Sequence, residues 1–249
     1  MAIDFAKSIF ENSITNGDTP LKEFERMLDF FIDIFSVPNL YRCNFSYEVM
    51  FVNALKANKE FTFILKDWMS SVSDAIENGE VLDYFGQGYE EYFKTGGKAS
   101  NMGQFYTPHP VFKLGAKMIT HDNCSENIFS INDPACGSGR GLLECWNESN
   151  RPMPHLCIGM DLDSLSVKMC ALNLMIHGIY GKVYRHDTLR NPVGYDWGFA
   201  VNEALYPNTN SGCYSIRLLP ECKCIIEEPS MPNEPHPSEA TQLSLFDGD

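Results

Sequence analysis

A chain of 249 residues that is 44% hydrophobic and 12% aromatic is large enough to bury a real core, as one large domain or two modest ones. It holds no run near the roughly 18 apolar residues a membrane helix requires, and Met1-Ala2-Ile3-Asp4-Phe5 lacks an export-signal pattern, so a cytoplasmic protein without a membrane partner is expected. The net charge of -14 is spread as -7 over residues 1–100, -1 over 101–220 and -6 over 221–249, which leaves no basic face for gripping duplex DNA unaided.

Residues 1–100 read as a helical N-terminal region. Asp18-Thr19-Pro20 is a helix start, a capping side chain with proline at the first helical position. Leu21, Phe24, Leu28, Phe31, Ile32 and Phe35 then recur at helical spacing, and Val37-Pro38-Asn39 ends the run. Further helices are expected at about 46–57, at 60–77 (stopped by Asn78-Gly79) and around 81–94, before Gly96-Gly97. Aromatic stripes of this kind belong to a core rather than to a ligand box.

From 101 to 228 strands and helices alternate, the pattern of a parallel α/β sheet. Strands are expected at 128–132, 156–161, 182–186 and 222–227, with a polar, turn-rich insertion at roughly 190–213. Residues 229–249, with Pro229, Pro232, Pro235 and Pro237 among acids, read as an extended, disordered tail.

Two strings carry the chemistry. Gly103-Gln104-Phe105-Tyr106-Thr107-Pro108 comes first, and Asp133-Pro134-Ala135-Cys136-Gly137-Ser138-Gly139 follows some two dozen residues later, closing an apolar strand and opening a helix. Strand, glycine-rich turn and helix start form the setting of a nucleotide-type ligand. Leu142 stands where a dinucleotide fingerprint wants its third glycine, so NAD or FAD is a poor fit. Gly137 and Gly139 allow close backbone approach, and Asp133 is placed to orient the turn amides and meet a positive group. The second strand delivers Asp161 at its carboxyl end, where an acid accepts from ribose hydroxyls. Asp163 reads as a helix cap, Asn173 as a solvated helix position, and His186 as structural or exposed.

The pair of strings resembles the adenine-specific (N-6) DNA methyltransferases, in particular the modification subunits of type I restriction systems. The resemblance covers roughly residues 80–231 and implies a Rossmann-like methyltransferase fold binding S-adenosyl-L-methionine. It further implies that Phe105, Tyr106, Thr107 and Pro108 cover the methionine end of the cofactor, with Asp133, Ala135, Gly137 and Gly139 forming the turn around it. Asp161 takes the family's ribose role. Asp187, in His186-Asp187-Thr188-Leu189, takes that of the acid contacting the adenine amine. Asn173 resembles a family asparagine, though by residue type alone it reads as solvated.

The pattern departs at the fourth strand. The family's Asn-Pro-Pro-aromatic catalytic string is replaced by Glu228-Pro229-Ser230-Met231, so Glu228 and Pro229 are the only candidates in that register. Asn191-Pro192 follows Asp187 too soon to replace it. With only about twenty residues after that strand, the parallel sheet is expected to be truncated, its edge covered by a loop or partner unless 200–220 adds a strand. The nine cysteines read as free thiols, and Cys213, Cys222, Cys224 and His236 fit no zinc frame, so no metal is expected. In the tail, Gln242, Leu243, Leu245 and Phe246 resemble the bacterial sliding-clamp-binding peptide.

The expected organisation is therefore a helical region at 1–100, an S-adenosylmethionine-binding methyltransferase-like domain at 101–228 and a tail at 229–249. The activity implied is methyl transfer to adenine in DNA within a restriction–modification system, with DNA held through partner subunits. Turnover is left open by the altered catalytic string. The alternatives are a catalytically silent adaptor that binds cofactor and a partner such as the clamp, and methylation of a protein or RNA amine.

Overall fold

A computed structural model describes residues 9, 16–36, 55–90, 107, 109–121, 130–149, 156–190, 194–203 and 215–221. The elements in chain order are α1 (Pro20–Ile34), α2 (Lys59–Glu77), α3 (Tyr84–Tyr89), α4 (His109–His121), β1 (Ser130–Asp133), α5 (Arg140–Glu148), β2 (Leu156–Asp161), α6 (Ser164–Ile176), β3 (Gly181–Arg185), β4 (Trp197–Val201) and β5 (Ile216–Leu219). No helix among them is long and apolar enough to cross a membrane.

Local chemistry sets the helix starts. The Thr19 hydroxyl accepts from Lys22 N at 3.3 Å and Pro20 opens α1, satisfying one orphan donor and removing another. From α1, Phe24, Met27, Leu28 and Phe31 turn inward, while Leu21 stays exposed. The α2 helix brings Phe61, Ile64, Leu65, Trp68 and Val72 to meet them. Phe31 stacks on Trp68 with centroids 5.6 Å apart, and Phe85 of α3 closes the cluster at 4.8 Å from Trp68. These aromatic side chains are core, as their spacing predicts.

The sheet runs in the order β1-β2-β3-β4-β5. The first three strands are parallel, linked by α5 and α6, so this half is the Rossmann-like α/β unit expected. The outer two pair antiparallel; β4 corrects the reading of 190–213 as a polar insertion, and β5 is the extra strand left open for 200–220. Trp197-Gly198-Phe199-Ala200-Val201 is a short buried apolar run bounded by Asp196 and Asn202, a strand signature obscured by polar neighbours. Gly198 is what lets β4 lie against β3, since a Cβ there would overlap the Val183 carbonyl and the Tyr184 ring. The backbone N–H of Ile216 in turn donates to Phe35 O at 2.9 Å, so the end of α1 meets the outer edge of β5. The strand expected at 222–227 lies outside the described residues.

Among the described residues, helix α6 joins the sheet to the helical layer. It packs on β2, β3 and β4 and also on α1 and α3, and all its residues except Ser164 and Lys168 are buried. A helix apolar on all sides belongs inside a core. Lys168 reaches out to Glu25 (3.0 Å) and Asp29 (2.7 Å) of α1. Asn202 sits at φ 54 and ties the far end of α6. Its Nδ2 donates to Met175 O and Ile179 O, both at 3.0 Å, while its Oδ1 accepts from Ser215 N at 3.1 Å.

Candidate functional site

The carboxyl ends of the three parallel strands place the predicted acids side by side. The register pairs Asp133 of β1 with Gly159 of β2, and Asp161 of β2 with Arg185 of β3, two residues before Asp187. Between β1 and α5 the chain turns through Gly137 (φ 53) and Gly139 (φ 89), backbone that L side chains rarely adopt. Space enforces the same choice at Gly139, where a Cβ would come 2.7 Å from Cys170 Sγ.

The acids share the work of shaping this turn. Asp133 Oδ1 accepts from Ala135 N at 3.1 Å, and Asp161 Oδ2 accepts from Gly137 N at 2.9 Å. The other oxygen of Asp161 accepts from Asp163 N at 2.8 Å. The Cys136 N–H donates to Met160 O at 2.9 Å, and Gly139 N–H to Cys136 O at 2.8 Å. Each ionised carboxylate oxygen carries two lone pairs, so acceptor capacity remains on both acids. Burial pushes the Asp133 carboxyl above its ordinary range, with the Asp161 charge adding to the rise. Burial is also the main cause of a raised Asp161, against the lowering effect of its backbone donors. Two partly desolvated acids of this kind favour a cationic ligand.

Asp187 lies just past β3, and its Oδ1 accepts from Leu189 N (3.3 Å) and Arg190 N (3.1 Å), forming its own turn. The next residue joins that turn to the first, as Thr188 Oγ1 donates to Pro134 O at 3.3 Å. Leu162 and Leu189 flank the acids and are 59% and 95% exposed, an apolar rim on a polar edge. Asp163 caps α6, accepting from Ser166 N at 3.1 Å. His186 is buried, and its backbone N–H donates to Asp161 O at 2.9 Å.

Of the first string, Thr107 is described, and its carbonyl accepts from Arg140 Nη1 at 3.4 Å. That contact brings Thr107 to the glycine turn. Phe105, Tyr106 and Pro108 lie outside the described residues. So do Glu228 and Pro229, and Gln242, Leu243, Leu245 and Phe246. Among the described residues no group of acids, histidines and cysteines could hold a metal ion.

Asn173 needs correction. It is wholly buried, not solvated, and its Nδ2 donates to Asp83 Oδ1 (2.7 Å) and Ser138 O (2.9 Å). Asp83, the Ser138 side chain and Arg140 are further members of the site that the motifs do not single out. Asp83 Oδ2 accepts from Ser138 Oγ at 2.5 Å and from Arg140 Nε at 3.0 Å. The one signal in the sequence is an arginine directly after the last glycine of the turn; its partner lies more than fifty positions upstream.

Residues 80–201 match the family model for N-6 DNA methylases. The chain is 33% identical over 170 residues to the type I restriction enzyme EcoEI methylase subunit of Escherichia coli, covering 56% of this chain and 34% of that protein. It is 28% identical over 172 residues to the MjaIX methylase subunit of Methanocaldococcus jannaschii, covering 66% and 29%. The chain thus spans about a third of the length of these relatives. A type I methyltransferase subunit from Streptococcus thermophilus, of solved structure, is 21% identical, with 77% of this chain and 42% of that one covered. Its TM-score of 0.39 is too low for that likeness to carry weight. The matched stretch takes in α3, the glycine turn and all three acids, and residues 80–201 belong to the N-6 DNA methylase family.

Proposed function

We propose that the chain binds S-adenosyl-L-methionine at the carboxyl edge of β1, β2 and β3, as the cofactor-binding core of a restriction–modification DNA adenine methyltransferase. The observation that carries this reading is the glycine turn with Asp133, Asp161 and Asp187 at successive strand ends. The residues fit the group. Positive-φ glycines give the turn a path that L side chains rarely adopt, and the two raised carboxyls gain from a positively charged partner. Once bound, the cofactor supplies a methyl group on a cationic sulfur.

The chain's own residues bind and orient. Asp133 meets the ammonium group and Asp161 keeps lone pairs for ribose hydroxyls while its bond to Gly137 N fixes the turn. Asp187 accepts from an exocyclic amine, and Leu162 and Leu189 offer apolar faces to a purine. The similarity to type I methylase subunits favours DNA as the methyl acceptor, and further subunits as the source of a basic surface beside a chain of net charge -14. The clamp reading of Gln242, Leu243, Leu245 and Phe246 rests on sequence alone.

Calorimetry with S-adenosylmethionine tests the proposal. A single site is expected, weakened at least about tenfold by Asp161→Ala, the loss of roughly one charged hydrogen bond. No heat from the folded chain at millimolar ligand would contradict it.

A further inference from the structure

The helical layer reaches the turn through two carboxylates, Asp83 on Ser138 and Arg140 and Glu90 on Arg140 alone. Asp83 immediately precedes α3 and is almost wholly buried. Its Oδ1 accepts from Gly86 N (2.9 Å) and Asn173 Nδ2 (2.7 Å), and its Oδ2 from Ser138 Oγ (2.5 Å) and Arg140 Nε (3.0 Å). Arg140 Nη2 approaches that second oxygen at 2.9 Å, off the hydrogen-bonding direction. Four donors match the roughly four lone-pair sites of a carboxylate.

The turn is thereby held on both sides of Gly139, the second of its two left-handed glycines. Ser138 is fixed through its hydroxyl by Asp83 and through its carbonyl by Asn173 at 2.9 Å. Arg140 is fixed by Asp83 and extends Nη1 to Glu90 Oε1 (3.0 Å) and Thr107 O (3.4 Å). Gly139, at φ 89, lies between these two anchored residues. Gly86 belongs to the same arrangement, because a Cβ there would overlap the Asp83 carboxylate and the Ser138 hydroxyl. A buried ion pair gives little net stability over apolar packing of the same volume, so what these bonds add here is the geometry of the residues they join.

We propose that Asp83 is a positioning residue for the cofactor site: it sets the conformation of Ser138-Gly139-Arg140 and, through Arg140, joins that turn to Thr107. It acts through the turn and touches no ligand. The role at the site rests on the cofactor reading above; the control of the turn does not.

The experiment follows amide hydrogen exchange of the full chain together with its affinity for S-adenosylhomocysteine. The variants are Asp83→Asn, Ser138→Ala, Gly86→Ala and, as a control remote from the network, Leu65→Ala. Ser138→Ala deletes only a hydroxyl and carries the test should Asp83→Asn leave no folded protein. In the first three, exchange at Gly139 and Leu143, whose amides bond to Cys136 O and Gly139 O, should quicken about tenfold. Affinity should fall by a similar factor, while amides of α1 and α2 keep their protection. Leu65→Ala should lower the unfolding midpoint and leave the affinity of the folded protein unchanged. Native exchange in the turn of folded Ser138→Ala and Gly86→Ala would overturn the proposal, as would a loosened turn that still binds with native affinity. A turn that loosens in a chain whose native form binds no S-adenosylhomocysteine would uphold Asp83's control of the turn and remove the cofactor reading instead.

Discussion

Phe31, Trp68 and Phe85 in the helical layer are wholly buried and packed ring against ring. At the carboxyl edge of the sheet, a few residues from the same core, two acids are held with raised pKa values beside positive-φ glycines and exposed leucines. The first region gains stability from nearly every side chain it buries. The second gives some up, since partly buried acids and left-handed backbone each weigh against folding. Such local violations of folding rules are expected where a ligand is to be received. The two regions meet at Asp83, which is packed like the first and bonded to the second.

The comparison breaks most visibly at Trp68. Trp68→Ala should cost about 3–5 kcal/mol of stability, the usual loss for a large buried aromatic, while the molecules that stay folded keep their cofactor affinity. Denaturant midpoints alongside calorimetry would show the split. Asp161→Ala should do the reverse, lowering affinity at least about tenfold with a small change in midpoint. An Asp161→Ala chain that bound natively but unfolded early would place that acid in the scaffold.

Two glycines sharpen the contrast. Gly79 ends α2 at φ 72, and a Cβ there would meet nothing within 4 Å, whereas Gly139 at φ 89 faces Cys170 Sγ at 2.7 Å. Gly79→Ala should cost only the left-handed strain of about 1–2 kcal/mol and spare binding. Gly139→Ala adds a steric contact inside the turn and should impair both. Equal effects of the two on binding would show that the turn's geometry is not what the ligand reads.

The smallest expected effects are in pH dependence. His177 Nε2 accepts from Leu82 N at 3.2 Å, so the native imidazole is neutral, and burial holds its pKa below the ordinary 6.5. A depressed folded pKa stabilises above 6.5 and that contribution is lost as pH falls below it. The carboxyls of Asp133 and Asp161 carry the opposite sign. Their raised values favour folding below the ordinary 3.8, and the contribution disappears as pH rises through the folded pKa. Asp133→Asn should therefore raise the unfolding midpoint slightly at neutral pH while weakening the binding of a cationic ligand. Urea titrations from pH 4 to 8 would separate the two.

Much of the α/β half is legible in the sequence because its signals are local. The apolar runs before Asp133 and Asp161 read as strands, and the glycines mark a turn whatever surrounds them. The cap at Thr19 and the aromatic stripe of α1 are equally plain. The strand at Trp197–Val201 is hidden by its polar surroundings and interior glycine. Asn173 misleads because residue type says nothing of a helix packed on all sides, and Asp83 escapes notice because its partners Ser138 and Arg140 are far along the chain. Long-range polar contacts have no period to read.

The most direct measurement is hydrogen exchange of the intact chain with and without saturating S-adenosylhomocysteine. Protection should rise in three separate stretches, 133–143, 161–163 and 187–190, and stay unchanged in α1 and α2. Binding that protected none of the three, or that protected the helical layer instead, would contradict a cofactor site at the carboxyl edge of the sheet.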